Sequence, residues 1–200
     1  MIVSPTIASR LGNVSALRAR YETELFEHVL PFWERHSPDR QYGGYFNNLD
    51  RDGSVYDTDK HVWLQGRQVW MFSKLYRTVE QRPEWLELAR LGMDFLRAHA
   101  IRPDGRVYFA LSQSGEPVKL QRKIFGECFY VMALAEYARA TDDATLAQEA
   151  RDMLAVLWKW AFDWSHVGAE SLAGVPDQQM LAVPMILLNL IDEVAGDDWP

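Results

Sequence analysis

Lys60-His61-Val62-Trp63-Leu64-Gln65-Gly66-Arg67-Gln68-Val69-Trp70-Met71-Phe72-Ser73-Lys74-Leu75-Tyr76-Arg77-Thr78-Val79-Glu80 is the stretch that decides the architecture. Its apolar residues, among them Val62, Trp63, Leu64, Val69, Trp70, Phe72 and Leu75, cover most of a helix circumference rather than one stripe. A helix of that kind has neighbours on nearly all sides. Two later stretches read the same way: about Lys123 to Ala140, with Ile124, Phe125, Phe129, Tyr130, Val131, Met132 and Leu134, and Met180 to Val194.

Between these apolar helices the pattern is amphipathic. Ser15 to about Arg35 places Leu17, Tyr21, Leu25, Val29 and Trp33 at four-residue steps, with Arg18, Arg20, Glu22, Glu24 and Glu27 on other faces. A helix opened by Pro83 carries Trp85, Leu88, Gly92 and Phe95, and about Asp142 to Phe162 carries Leu146, Ala150, Met153, Leu157 and Trp160. Short hairpins are expected between the helices. One lies in Gly43 to Tyr56 around the Asp52-Gly53 turn, and another joins Arg106-Val107-Tyr108-Phe109 to Gly115-Glu116-Pro117-Val118.

Self-similarity at roughly 60 residues, with an outer and an inner helix as the unit, is the signature of a helical array or toroid. The fold class is therefore all-α, an α/α toroid with short β-hairpins, read as a single domain over residues 1–200. A closed toroid of this type commonly has about six pairs. Three are present here before Gly196-Asp197-Asp198-Trp199-Pro200, which predicts that about half of the ring is present. Such a half ring is expected to expose apolar flanks and to self-associate.

Composition narrows the function. The 200 residues are 48% hydrophobic and 24% charged, as in an ordinary globular domain. The net charge is −7 and the 21 Lys and Arg residues form no basic stripe, so nucleic acid is not an expected partner. The apolar run Met180 to Ile191 is too short for a membrane span, and Met1-Ile2-Val3-Ser4-Pro5 lacks the layout of a secretory signal. With Cys128 as its single cysteine, the chain is expected in the cytoplasm. The 8 Trp, 8 Tyr and 9 Phe either fill a helical core or line a cavity where flat rings meet a ligand such as a sugar.

Chemistry concentrates near the starts of two apolar helices, at Gly66-Arg67 and Gly126-Glu127, which are read as occupying matching places after their hairpins. A glycine inside a helix costs about 1 kcal/mol relative to alanine and so asks for a packing or functional reason. Arg67 and Glu127 each either pair, with one another as one option, or face a wet cavity. Helical spacing groups Trp63, Arg67 and Trp70 on one face, and Lys123, Glu127 and Tyr130 on a face of the other helix. Such linings suit a polar ring-shaped ligand.

The five histidines form no metal-ligand spacing. His28, His36 and His99 fall on outer helices, His166 in a loop, and His61 at the mouth of a helix beside Trp63. No G-x-S-x-G, G-x-G-x-x-G or Walker motif occurs, and Gly12 and Gly53 mark only turns. An inverting glycosidase remains open, with Glu127 and either Asp50 or Asp52 as its carboxylates.

Val62-Trp63-Leu64-Gln65-Gly66-Arg67-Gln68-Val69-Trp70 resembles the hallmark segment of the N-acylglucosamine 2-epimerase family, also called renin-binding proteins. Pro117 to Arg122 through Glu127-Cys128-Phe129-Tyr130, and Met180-Leu181-Ala182-Val183-Pro184-Met185, are similar to two later family segments in the same order. The resemblance implies an (α/α)6 barrel about twice this length, often dimeric, with no required cofactor and with ATP as a non-consumed effector in some members. It implies interconversion of N-acetylglucosamine and N-acetylmannosamine: ring opening, removal of the C2 proton, and return of a proton on the other face. Arg67 resembles the family arginine facing the O1 oxygen, where fixed positive charge stabilises an enediolate. Trp63, Glu127, Tyr130 and His61 are the expected substrate-binding residues.

The family's two catalytic histidines lie in its second half, and no histidine here matches them. The 200 residues alone are therefore expected to be inactive. Relatives acting on mannose or cellobiose, aldose–ketose isomerases, and a non-catalytic protein-binding relative remain the other readings.

Overall fold

The computed structural model describes residues 14–120, 123–163 and 181–195. The expectations for Met1 to Pro5, Gly12, Gln121, Arg122, His166, Met180 and Gly196 to Pro200 lie outside them.

The helices follow the periodicity closely. In chain order they are α1 (Val14–Thr23), a π-helical turn (Glu24–Val29), α2 (Leu30–His36), α3 (Val62–Thr78), α4 (Pro83–His99), α5 (Phe125–Thr141), α6 (Ala144–Ala161) and α7 (Ala182–Ala195). The apolar helices α3 and α5 pack on each other, α5 packs on α7, and the amphipathic α4 and α6 back this inner row. One continuous core results. Trp85, Leu88, Met93 and Leu96 of α4 meet Val69 and Phe72 of α3 and Val131 and Leu134 of α5 in it. Asp143 starts α6 by accepting hydrogen bonds from the Thr145 and Leu146 amides.

The first outer helix differs from its expectation. It is continuous in direction but widened at Glu24–Val29, and Pro31 supplies the cause. Proline has no N–H to return to the carbonyl of Glu27 and its ring crowds that carbonyl, so the turn before it opens to π geometry. Val14 through Val29 bury nothing, and Leu17, Tyr21, Leu25 and Val29 stand exposed. The packed part begins at Leu30, 1% exposed. At the other end of the row, Leu181, Met185 and Leu188 are also exposed.

The strands are short. β1 (Asn48–Leu49) and β2 (Val55–Asp57) form the first hairpin as expected. The second hairpin lies further along than expected: β4 (Ala110–Leu111) pairs with β5 (Pro117–Lys119), while Val107 makes only an isolated bridge to Ile101. β4 also pairs with β3 (Lys60–His61), the two residues that lead into α3, so adjacent repeats share a three-stranded sheet.

The repeat is visible in detail. Phe32 and His36 at the end of one outer helix stack as Phe95 and His99 do at the end of the next, at 5.0 Å in both cases. The two imidazoles lie against the turn glycines Gly53 and Gly115, which adopt φ of +87° and +95° and have no room for a Cβ. The bridges Pro38 to Tyr45 and Ile101 to Val107 repeat in the same way. No helix among the described residues is long and apolar enough to cross a membrane.

Candidate functional site

Gly66 decides how the site is built. A Cβ there would lie 2.5 Å from the Phe129 carbonyl oxygen, so its absence lets the α3 and α5 backbones meet. That approach carries the Phe129 ring across to α3. The Arg67 guanidinium sits 4.4 Å from the centroid of Phe129 and 5.0 Å from that of Trp63, and the two rings are 6.2 Å apart. Arg67 is exposed and has no carboxylate partner among the described residues. An open cation bounded by two aromatic faces is suited to a polar, ring-shaped ligand that develops negative charge.

His61 enters the same end of α3. Its backbone N–H donates to Asn47 Oδ1 at 3.2 Å, its ring meets Phe109 edge-on at 5.4 Å, and its Nδ1 is buried with no hydrogen-bond partner among the described residues. Lys60, immediately before it, is wholly buried. Its Nζ donates to Asp39 Oδ2, Gly43 O and Gln113 O at 2.6–2.8 Å, and lies 4.3 Å from the Phe95 ring. Burial works to raise the Asp39 pKa, but hydrogen bonds from Lys60, the Tyr42 amide and Gln113 outweigh it and hold the carboxylate below its ordinary range. The segment leading into the site is thereby fixed.

Glu127 is placed differently from its expectation. It is 1% exposed and forms no pair with Arg67; its Oε1 takes Arg106 Nε at 2.6 Å and the Val107 amide at 3.2 Å. Gln65 does the same for the preceding repeat, accepting the Tyr45 amide at 2.8 Å. Since Tyr45 and Val107 are the equivalent bridge residues, Glu127 corresponds to Gln65, and Phe129 to Arg67. The matching of Gly66-Arg67 with Gly126-Glu127 is thus two residues out of register. Gly126 answers a different need, since a Cβ there would meet Val107 Cγ2 at 2.9 Å.

Tyr130 lies on the outward side of α5, 1% exposed, with Arg97 of α4 and Glu149 of α6 as charged neighbours; burial first and Glu149 second push its phenol up to about 12. The structure thus brings together Trp63 and Arg67, sets His61 at the start of α3 against Phe109 and Asn47, and engages Glu127 and Tyr130 with other partners. Phe129 joins the site in their place. The signal that could have found it is the repeat register, which sets Phe129 opposite Arg67.

One turn along the Trp63 and Arg67 face stands Trp70, whose Nε1–H donates to Glu193 Oε2 of α7 at 3.1 Å. Asp50 and Asp52 are exposed in the first hairpin turn, where Ser54 hydrogen bonds hold the Asp52 carboxyl below its ordinary pKa. With Glu127 engaged by Arg106, these groups form no open acid pair for glycoside hydrolysis. No cluster of metal-ligating side chains occurs among the described residues.

The family model for N-acylglucosamine 2-epimerase (GlcNAc 2-epimerase) matches residues 44–179. The N-acylglucosamine 2-epimerase of Bos taurus is 45% identical over 191 residues, which are 93% of this chain and 45% of that protein. The cellobiose 2-epimerase of Bacteroides fragilis is 30% identical over 129 residues, 64% of this chain and 33% of that protein. Among solved structures, the cellobiose 2-epimerase of Spirochaeta thermophila superposes with a TM-score of 0.79 at 22% identity, covering 92% of this chain and 50% of that one. The chain spans about half the length of the relatives it matches.

Proposed function

The chain belongs to the N-acylglucosamine 2-epimerase family, and from that premise we propose that the Arg67 face of α3 is one wall of a sugar pocket in an enzyme that epimerises N-acyl-D-glucosamine and N-acyl-D-mannosamine at C2. The observation that carries the reading is the open guanidinium of Arg67 between the Trp63 and Phe129 rings. In the open-chain sugar a base removes the C2 proton, the C–H electron pair forms the C1–C2 double bond, and the carbonyl π electrons move onto O1. Arg67 faces that oxygen and stabilises its charge; a proton then returns to the opposite face of C2, restoring the aldehyde. Trp63 and Phe129 hold the hydrocarbon side of the sugar. No residue of this chain is given the acid or base role.

The amino-sugar substrate is favoured over cellobiose because identity is 45% to the N-acylglucosamine enzyme and 30% to the cellobiose enzyme. The same reading has no cofactor as reactant, gives a nucleotide such as ATP the part of a non-consumed effector, and places the protein in the cytoplasm. A homodimer belongs to it as well, supported by the exposed apolar residues of α1.

The test is deuterium uptake at C2 of N-acetylmannosamine in D2O, followed by NMR, on a protein of the family's length in which these residues are joined to the half expected to carry the acid and base. Arg67→Ala is expected to slow exchange about 10²–10³-fold, the size of losing one preorganised donor. Arg67→Lys, which keeps charge without the planar fork, is expected to retain part of it. Exchange at the wild-type rate in Arg67→Ala would remove the basis of the proposal.

A further inference from the structure

Trp63, Arg67, Trp70 and Lys74 follow one another along a single face of α3, at helical spacings of three and four. The upper part of this face is the proposed pocket wall. Its lower part is tied into a charged network joining the three inner helices. Glu136 of α5, fully buried, takes Arg77 Nε at 2.7 Å and Arg139 Nη2 at 2.6 Å, with Lys74 at 3.7 Å. Glu193 of α7 lies 3.7 Å from Lys74 and 3.4 Å from Arg139, whose Nη1 also donates to the Glu193 carbonyl at 2.6 Å. Glu193 is thus held at its backbone and its carboxylate. The same carboxylate accepts the Trp70 indole N–H.

We propose that Glu193 is a positioning residue for Trp70, fixing the plane of its indole so that the ring extends the sugar-binding wall that begins at Trp63 and Arg67. The proposal rests on the pocket assigned above. Half-buried, Trp70 otherwise rotates about two side-chain bonds, and a ring that stacks on a sugar is effective only when its face is already presented. A hydrogen bond to a carboxylate that is itself clamped by Arg139 supplies that restraint at the ring edge; the Lys74 ammonium lies over the ring at 5.5 Å from its centroid, so the sugar would stack on the opposite face.

A merely structural Glu193 acts through its ion pairs with Arg139 and Lys74, whereas a positioning Glu193 acts through an oxygen that accepts the indole N–H. Glu193→Gln keeps an accepting oxygen and loses the ion pairs; Glu193→Leu loses both. N-acetylglucosamine and N-acetylmannosamine affinity is measured by calorimetry on both variants, on Trp70→Phe and on the double variant Trp70→Phe/Glu193→Leu. The Trp70 indole resonance is followed by ¹⁵N NMR, assigned by its loss in Trp70→Phe. Glu193→Leu is expected to weaken sugar binding about 5–10-fold and to shift the Trp70 resonance, Glu193→Gln to stay within about twofold, and Glu193→Leu to add nothing in the Trp70→Phe background.

Equal losses in Glu193→Gln and Glu193→Leu, or an undiminished loss in the Trp70→Phe background, would overturn the inference. Arg67→Ala serves as the separate control: it is expected to weaken sugar binding with the Trp70 resonance in place. Unchanged affinity there would overturn the pocket itself, while loss in Arg67→Ala with none in Glu193→Leu would overturn only the role of Glu193. Should Glu193→Leu fail to fold, Trp70→Phe against Glu193→Gln decides, since the inference requires the former to bind weakly and the latter normally.

Discussion

Two cations seven residues apart in sequence are treated in opposite ways. Lys60 is stripped of water and meets a carboxylate and two carbonyl oxygens, so every proton of its ammonium is engaged. Among the described residues, Arg67 meets ring faces and no carboxylate. Lys60→Met is expected to lower unfolding free energy by about 3–5 kcal/mol in urea titrations, because Asp39 would be left as a buried charge with one partner fewer. Arg67→Ala is expected to cost only about 1 kcal/mol, the scale of exposed cation–π contacts. A loss in Arg67→Ala as large as that in Lys60→Met would mean that Arg67 holds the fold rather than awaiting a ligand.

The close crossing of α3 and α5 rests on one absent side chain. Alanine is the better helix former by about 1 kcal/mol, so on propensity alone Gly66→Ala should stabilise α3. Its Cβ, however, would press on the Phe129 backbone carbonyl at 2.5 Å, which cannot swing aside as a side chain would. Overpacking of this kind costs about 1–3 kcal/mol, and Gly66→Ala is therefore expected to lower the thermal midpoint and to pull Phe129 away from Arg67. A raised midpoint would count against the crossing. The glycine was conspicuous in the sequence, and so were the helices, because 17 residues of periodic burial leave a strong pattern. The register between repeats was not. It is set by the amides of Tyr45 and Val107 reaching Gln65 and Glu127, and backbone donors leave no mark on a side-chain pattern. That is why Glu127 read as a ligand-facing acid and Phe129 as ordinary core. The two-residue strands β3 and β4 were equally silent, being too short for alternation and paired across different repeats.

Across the whole molecule, the three inner helices are joined at the end away from Arg67 by a charge cluster centred on Glu136. Burial works to raise the pKa of this carboxyl, but hydrogen bonds from Arg77 and Arg139, with the charges of Arg139 and Lys74, outweigh it and hold the value below the ordinary 4.5. A carboxylate with a depressed folded-state pKa contributes stability that is fully present above its unfolded pKa and is lost as the pH falls through its folded one. Glu136→Gln removes this contribution and leaves three cations facing a neutral amide. Because the side chains of Lys74, Arg77 and Arg139 are each about a third exposed, the loss near pH 7 is expected at the low end of the range of about 3–5 kcal/mol for a broken buried pair. The sign of its pH dependence follows. Between pH 6 and 8 the gap between wild type and Glu136→Gln should stay constant, and below about pH 4.5 it should narrow, as the native carboxylate is forced to take up a proton that the glutamine never needs. Urea unfolding of both proteins from pH 3 to 8 measures the gap directly. A gap that does not change with pH would show that Glu136 stabilises the inner row through its shape and hydrogen bonds, and not through its charge.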